Sequence, residues 1–398
     1  MGKIIKEKDN IPIVDYFLVF SIIALTGFEF FFRAIELLFY VVGPISFITY
    51  KQRKCRITNN VTIFFGVLLF WCCVQYICGY SSIGALINFY IRFWIYYFTI
   101  ASVGKNLGET TVRIIVFFAG ISIILYTFTN VSPGIRSMLV SSFSFIKPMH
   151  GGIEEEISSN VGQSLIIYFI PRDHLIRNSG PFWEPGMFAV FINIALAINL
   201  LKVRKVMNRD NLILIIASLT TLSTSSYIST ILILALYFLG IKRNLKSLFG
   251  LVPVAVGVLL FLNSDFGYAK IVDNSQDDEA YSRFGAMIYH LESIEKHPVI
   301  GTGFQSDNRS VENLISPNGI TNVIKFWGIP FSIYLYVLWF LSSKRLIKDN
   351  GINNRKKISA IMVYVILLVV AFSQDVTTRH FYNILAIYPL IHLPNLKK

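Results

Sequence analysis

The sequence predicts an all-α, polytopic membrane helix bundle of about twelve spans with two long loops on one side. Three observations carry this: apolar composition along the whole length, recurrent apolar runs of spanning length, and the placement of basic residues. Of the 398 residues, 54% are apolar and 15% charged, with mean hydropathy +0.59; soluble domains carry about 25% charged residues. The deficit is not confined to one segment, so the chain is read as a single membrane domain, 1–398, and not as a soluble body on an anchor.

A span needs about 20 mostly apolar residues. Such runs fall near 11–28, 30–50, 60–79, 82–103, 110–129, 184–202, 210–225, 227–241, 247–263, 320–342, 357–373 and 380–395, the pair across 210–241 being short. The basic start of the chain leads into the first run without a small-residue cleavage site, as an uncleaved first span would. Of the 36 Lys and Arg, twenty-four collect in alternate connecting segments, nine in the others, and Arg33, Arg92 and Lys325 lie within spans. The positive-inside rule then places both termini in the cytoplasm and the long loops, about 130–183 and 264–319, outside. The net charge of +13 comes from these short clusters between apolar runs, not from one basic face, which argues against nucleic acid.

The four cysteines read as small hydrophobes: Cys72, Cys73 and Cys78 sit in an apolar run, Cys55 in a basic loop, and none has metal-ligand spacing with histidine. No P-loop, dinucleotide-binding glycine pattern, His-Glu-x-x-His or Asp-x-Asp motif occurs, so no metal and no cofactor is expected.

Chemistry-bearing residues are few. Arg92 lies near the centre of a span, where an arginine costs roughly 2.5–3.5 kcal/mol on insertion scales. It must face a cavity or a buried carboxylate. Arg33 and Glu36 are spaced as a pair on one helix face. The first long loop ends in Arg177-Asn178-Ser179-Gly180-Pro181-Phe182-Trp183-Glu184-Pro185-Gly186. Pro185 suits the first position of a helix, and Glu184 is expected to accept from its orphan amides or to pair with an arginine. Arg177 would then stand at the mouth of a membrane cavity, where a guanidinium fork suits phosphate.

In the second loop, apolar residues at 284, 287, 288, 291 and 294 predict an amphipathic helix over that mouth. Arg283, His290 and His297, seven apart, form one stripe along it, with roughly 21 Å between its ends. Arg283 is the better phosphate ligand, whereas His297 reads as a corner before the tight loop of Gly301 and Gly303, or as a base, with His290 between them. Nine Ser or Thr within 218–230 either bond a sugar or cap two short helices.

Taken together, the span count, the two loops, RNSGPFWEPG (177–186), the R…HPVIGTGF pattern (283–304) and NG…WG (318–328) resemble the O-antigen polymerase and ligase superfamily of bacterial membrane glycosyltransferases. The resemblance implies a fold of the GT-C type, location in the bacterial inner membrane, and metal-independent, inverting glycosyl transfer on its periplasmic face. Donor and acceptor would be glycans on undecaprenyl diphosphate amid membrane lipids, with a chain-length-regulating membrane protein as a further partner.

Carried over by position, Arg177 and Arg283 would hold the diphosphate and stabilise the leaving group. Arg92, Gly301, Gly303 and Asn318 complete the expected substrate-binding set, and Glu184, His290 and His297 are the nominees for a base. Ligases of the superfamily carry a His-Asn pair where this chain has Pro317-Asn318, which favours a repeat-unit polymerase over a ligase. A flippase or transporter of lipid-linked sugars is the reading from another class; it predicts internal repeats, and none is visible.

Overall fold

The computed structural model describes residues 11–31, 34–146, 162–170, 177–242, 283–303, 318–353 and 355–392. The proposed span at 247–263, the Arg33 half of the Arg33–Glu36 pair, Pro317 and much of both long loops lie outside the described residues.

The chain is mostly helical. Helix α1 (Ile13–Gly27) is followed by a broken second segment, in which one turn (Ile35–Leu37) and a π-helical stretch (Leu38–Val42) lead into α2 (Gly43–Gln52). Then come α3 (Asn59–Ile77), α4 (Ile83–Val103), α5 (Leu107–Val131) and the short α6 (Pro133–Ser142). The first loop contributes one departure from an all-α fold, a two-residue antiparallel pairing of β1 (Gln163–Ser164) with β2 (Phe169–Ile170). After it run α7 (Pro185–Val203), α8 (Arg209–Thr220), α9 (Thr224–Leu236), α10 (Arg283–Lys296), α11 (Gly319–Asp349), α12 (Lys356–Ser373) and α13 (His380–Ile387).

Among the described residues, six stretches are long and apolar enough to cross a membrane: Asn59–Ile77, Ile83–Val131, Pro185–Val203, Thr224–Lys242, Gly319–Asp349 and Lys356–Ser373. Ile83–Val131 holds both α4 and α5, separated at Gly104, whose φ of 56° lies outside the helical region. The expected count of twelve is not reached among the described residues. At 12 and 8 residues, α8 and α13 fall well short of a 20-residue span. Outward-facing Ile63, Phe70, Phe117 and Ile333 are more than half exposed. So much apolar surface, spread around the helices, fits lipid as the surrounding medium.

Helix starts follow local chemistry. Thr58, Ser82 and Asn318 accept from the amides of Val61, Ala85 and Thr321, satisfying donors that have no intrahelical partner. Helix α7 is mostly apolar, and every residue from Pro185 to Leu201 is buried, as expected of a central helix. Helices α5, α8, α9 and α12 surround it.

Polar side chains join this core. Ser218 bonds Ser226 and Thr230, each at 2.7 Å, and Thr230 donates to Asn193 Oδ1 at 2.9 Å. The hydroxyl-rich 218–230 segment thus spends much of its hydrogen-bonding capacity tying α7, α8 and α9 together. All four side chains are buried.

The two ends of the bundle differ. At one, Asp15 of α1 meets Arg53 and Asn106 at 2.7 Å each, and Glu109 bonds Lys202 at 2.8 Å and also Arg113. At the other, Trp183 N donates to Gly27 O (3.2 Å), Glu29 N to Pro181 O (3.0 Å) and Phe381 N to Thr26 Oγ1 (3.1 Å). Sequence segments assigned to the cytoplasm therefore gather at the first end, and the 177–186 motif lies at the second.

Helix α11 is broken within. Gly328 adopts φ 73°, ψ 170°, and Pro330 follows. A break inside a membrane helix persists when other groups take up the freed backbone atoms. Here the 298–303 segment does so: Ile329 N donates to Pro298 O (2.8 Å), Thr302 N to Lys325 O (2.8 Å) and Gly303 N to Phe326 O (3.2 Å). From α3, Gln75 donates to Ile300 O and Phe326 O, and Trp71 donates to Trp327 O at 2.9 Å.

Candidate active site

A cavity of about 160 Å³ opens among α1, α4 and the segment leading into α13. Leu25, Phe89, Arg92, Tyr96, Thr378, Arg379, His380 and Asn383 line it. Arg92 reaches it from the middle of α4 with Nε donating to Asn88 Oδ1 at 2.7 Å, one turn back on the same helix. The sequence offered a cavity or a carboxylate as its destination, and the cavity is where it goes.

Arg379 comes from the turn after α12. Its Nε donates to Asp375 O at 2.7 Å, and the guanidinium stands 6.0 Å from the centre of the Trp183 ring. Burial lowers its proton affinity, while the carboxylates of Asp375 and Glu184 oppose that effect. A guanidinium stays charged through such a shift, so the chamber holds two fixed cations. His380 Nδ1 lies 2.7 Å from the Tyr96 hydroxyl.

The 177–186 motif frames this region. Phe182 packs between Phe28 and Phe191, with ring centres 4.8 and 5.0 Å away. Asn178 donates to Thr220 Oγ1 (2.8 Å) and Ser122 Oγ (3.1 Å) and accepts from Gly180 N (3.0 Å). Glu184 does stand at the N-cap of α7, but its side chain makes no cap hydrogen bond. Its charge acts on Arg379 instead. Arg177 is not among the cavity-lining residues. Its Nε donates to Thr221 O at 3.3 Å, beside the turn between α8 and α9.

The remaining predicted site residues cluster around α11. Arg283 opens α10, but its side chain lies outside what the structure describes. Along α10, Ala286, His290 and Ile294 are buried, while Ile288 and Leu291 are half exposed. Polar contacts set the buried side. His290 Nδ1 meets Thr321 Oγ1 at 2.7 Å, and Lys325 stands over the Tyr289 ring at 4.8 Å, so the helix turns its polar residues towards α11.

His297 ends the helix with its ring 4.9 Å from that of Tyr80. Gly301 and Gly303 have φ of 74° and 64° and run against backbone; a Cβ on Gly303 would lie 2.6 Å from Tyr80 O. Asn318 caps α11.

Burial, with the Lys325 charge adding to it, pulls the His290 imidazole down to about 4. An unfolded histidine titrates near 6.5, so between those values the unfolded chain holds a proton that the folded chain does not. Stability is therefore full above about pH 6.5 and is lost as the pH falls towards 4, by as much as about 3 kcal/mol. Thermal unfolding of the detergent-solubilised protein across that range is expected to show the loss, and His290→Gln to flatten it. Equal acid sensitivity in the variant would reject the assignment.

Arg379, His380, Tyr96 and Asn383 were not nominated from sequence. The one available signal was Arg379-His380 directly ahead of the last apolar run, on a segment assigned to the outer side.

A family model described as O-antigen ligase matches residues 211–338. That is about a third of the chain, from α8 into α11, and it supports a multi-pass membrane protein of the O-antigen polymerase and ligase superfamily. No curated protein matches the chain. The matched segment includes α10, the 298–303 loop and the break in α11, whereas every residue lining the cavity lies outside it.

Proposed function

We propose that this chain is a polysaccharide polymerase: it joins glycan repeat units carried on undecaprenyl diphosphate, on the periplasmic face of the bacterial inner membrane. The observation that carries the reading is the chamber holding Arg92 and Arg379 at the 177–186 end of the bundle. Two cations at one cavity, one reached from a span and one from an interhelical turn, suit the diphosphate of a lipid whose tail stays in the bilayer.

In the proposed reaction the acceptor hydroxyl attacks the anomeric carbon of the donor from the face opposite the diphosphate, which leaves with inversion. Fixed guanidiniums stabilise charge as it grows on the leaving oxygen, with no metal needed. Arg177 and Arg283 stand on the loop segments that receive the incoming lipid-linked glycan, and Asn318 with the Gly301–Gly303 turn holds the neighbouring wall.

Pro317 in place of the ligase histidine favours polymerisation over transfer to another acceptor. Purified protein given lipid-linked repeat units alone is expected to yield a ladder of products on a gel. Transfer only to an added lipid or protein acceptor would establish a ligase, and movement of intact units between leaflets without new bonds a flippase.

A further inference from the structure

We propose that His380 donates a hydrogen bond to the leaving diphosphate through a proton fixed on Nε2. The assignment rests on the polymerase reading above and adds a third contact to the two guanidiniums. The ring lines the same cavity as Arg92 and Arg379.

Where its proton sits follows from two neighbours. Asn383 Nδ2 gives one hydrogen to Thr378 O at 3.1 Å, and the same side chain donates to the Tyr96 oxygen. Tyr96 is buried, and a buried hydroxyl needs an acceptor for its own hydrogen. Asn383 is the donor in its bond to Tyr96, so the hydrogen goes to the other partner, His380 Nδ1, at 2.7 Å. An imidazole that accepts at Nδ1 carries its proton on Nε2. That nitrogen has no protein partner among the described residues, and the cavity is what the ring faces.

The ring is a neutral donor for two reasons. Burial and the charges of Arg92 and Arg379 oppose an imidazolium. A second proton, on Nδ1, would also leave the Tyr96 hydroxyl without an acceptor. A neutral N–H adds a directed, preorganised contact without a third positive charge in the empty chamber.

No proton moves at His380. The acceptor oxygen bonds to the anomeric carbon, and its proton leaves to solvent on the face of attack. On the opposite face the bond from carbon to diphosphate oxygen breaks. Its electron pair stays on that oxygen, where Nε2–H and the guanidiniums stabilise it.

The test is a pair of substitutions in the full chain, in detergent, with lipid-linked repeat units as substrates. A glutamine amide reaches the place of Nε2, so His380→Gln keeps a donor for the chamber but loses the Tyr96 bond. An asparagine amide reaches only the place of Nδ1, so His380→Asn keeps that bond and loses the donor. His380→Asn is expected to lower kcat by about 100-fold, the cost of one preorganised donor. It should also weaken binding of undecaprenyl diphosphate by about tenfold or more. His380→Gln should stay within about tenfold of wild type in kcat.

Folded variants in which Asn performs as well as Gln would overturn the assignment while leaving the polymerase reading standing. If neither folds, Tyr96→Phe decides. Loss of the hydroxyl that holds the ring should lower kcat by about tenfold; wild-type kcat and wild-type diphosphate affinity there would overturn the assignment. A wild-type protein that forms no glycosidic bond overturns both.

Discussion

Replacing Arg379 with alanine is expected to stop elongation, lowering the rate by about 100-fold or more, the usual cost of removing one preorganised donor from a developing negative charge. The expectation rests on how the side chain is held. Asp375 O accepts from its Nε, Trp183 covers one side, and the carboxylates of Glu184 and Asp375 act on it from behind. Such a guanidinium reorganises little as the diphosphate leaves. Arg379→Lys should rescue little, because one ammonium cannot both bond Asp375 O and present a fork to phosphate.

Arg92→Ala, at the same cavity, is expected to give a comparable loss. Because Arg379 is packed, alanine also threatens the fold there, so each rate must be read beside the melting temperature of the same preparation. Arg92→Ala and Arg379→Lys proteins that melt normally and elongate at wild-type rate would remove the chamber from the reaction.

Helix positions were legible where apolar runs were long. Runs near 60–79, 82–103, 184–202 and 357–373 correspond to α3, α4, α7 and α12 within a few residues, because lipid leaves a spanning backbone few alternatives to helix. What periodicity cannot show is which surface a neighbour covers. On α10 the apolar residues belong partly to the exposed side, and a histidine with Thr321 decides the buried one.

The chamber was half legible. Arg92 stood out because a mid-span arginine needs a reason. Arg379 looked like any loop cation, since nothing local says that the turn after α12 folds against α4 and the start of α7. Glu184 was placed at the right helix start, but its charge partner lies 195 positions away in sequence. In the same way the expected substrate glycines have a packing duty that only the break in α11 explains.

That break supports the largest stability effect the structure predicts. Gly328 combines a φ of 73° with ψ of 170°, a region that side chains avoid at a cost of order 1–3 kcal/mol. It also has no room: a Cβ there would press on the Val299 carbonyl and lie 2.9 Å from Gly301 N. Overpacking of that kind costs about another 1–3 kcal/mol. The two penalties act on one junction, so neither relaxes without disturbing the other. Moving the 298–303 segment aside would release Ile329 N, Thr302 N and Gly303 N from their carbonyl partners and disturb the Gln75 contacts to Ile300 O and Phe326 O.

Gly328→Ala should therefore destabilise the protein by about 2–6 kcal/mol, towards or beyond the upper end of most single substitutions, and be recovered mainly as degraded or aggregated chain. Gly66→Ala is the control, since nothing lies within 4 Å of its Cβ position and its φ is ordinary; its melting temperature should match wild type. Equal yield and melting temperature for Gly328→Ala and Gly66→Ala would mean that the 298–303 segment does not brace α11 in the membrane.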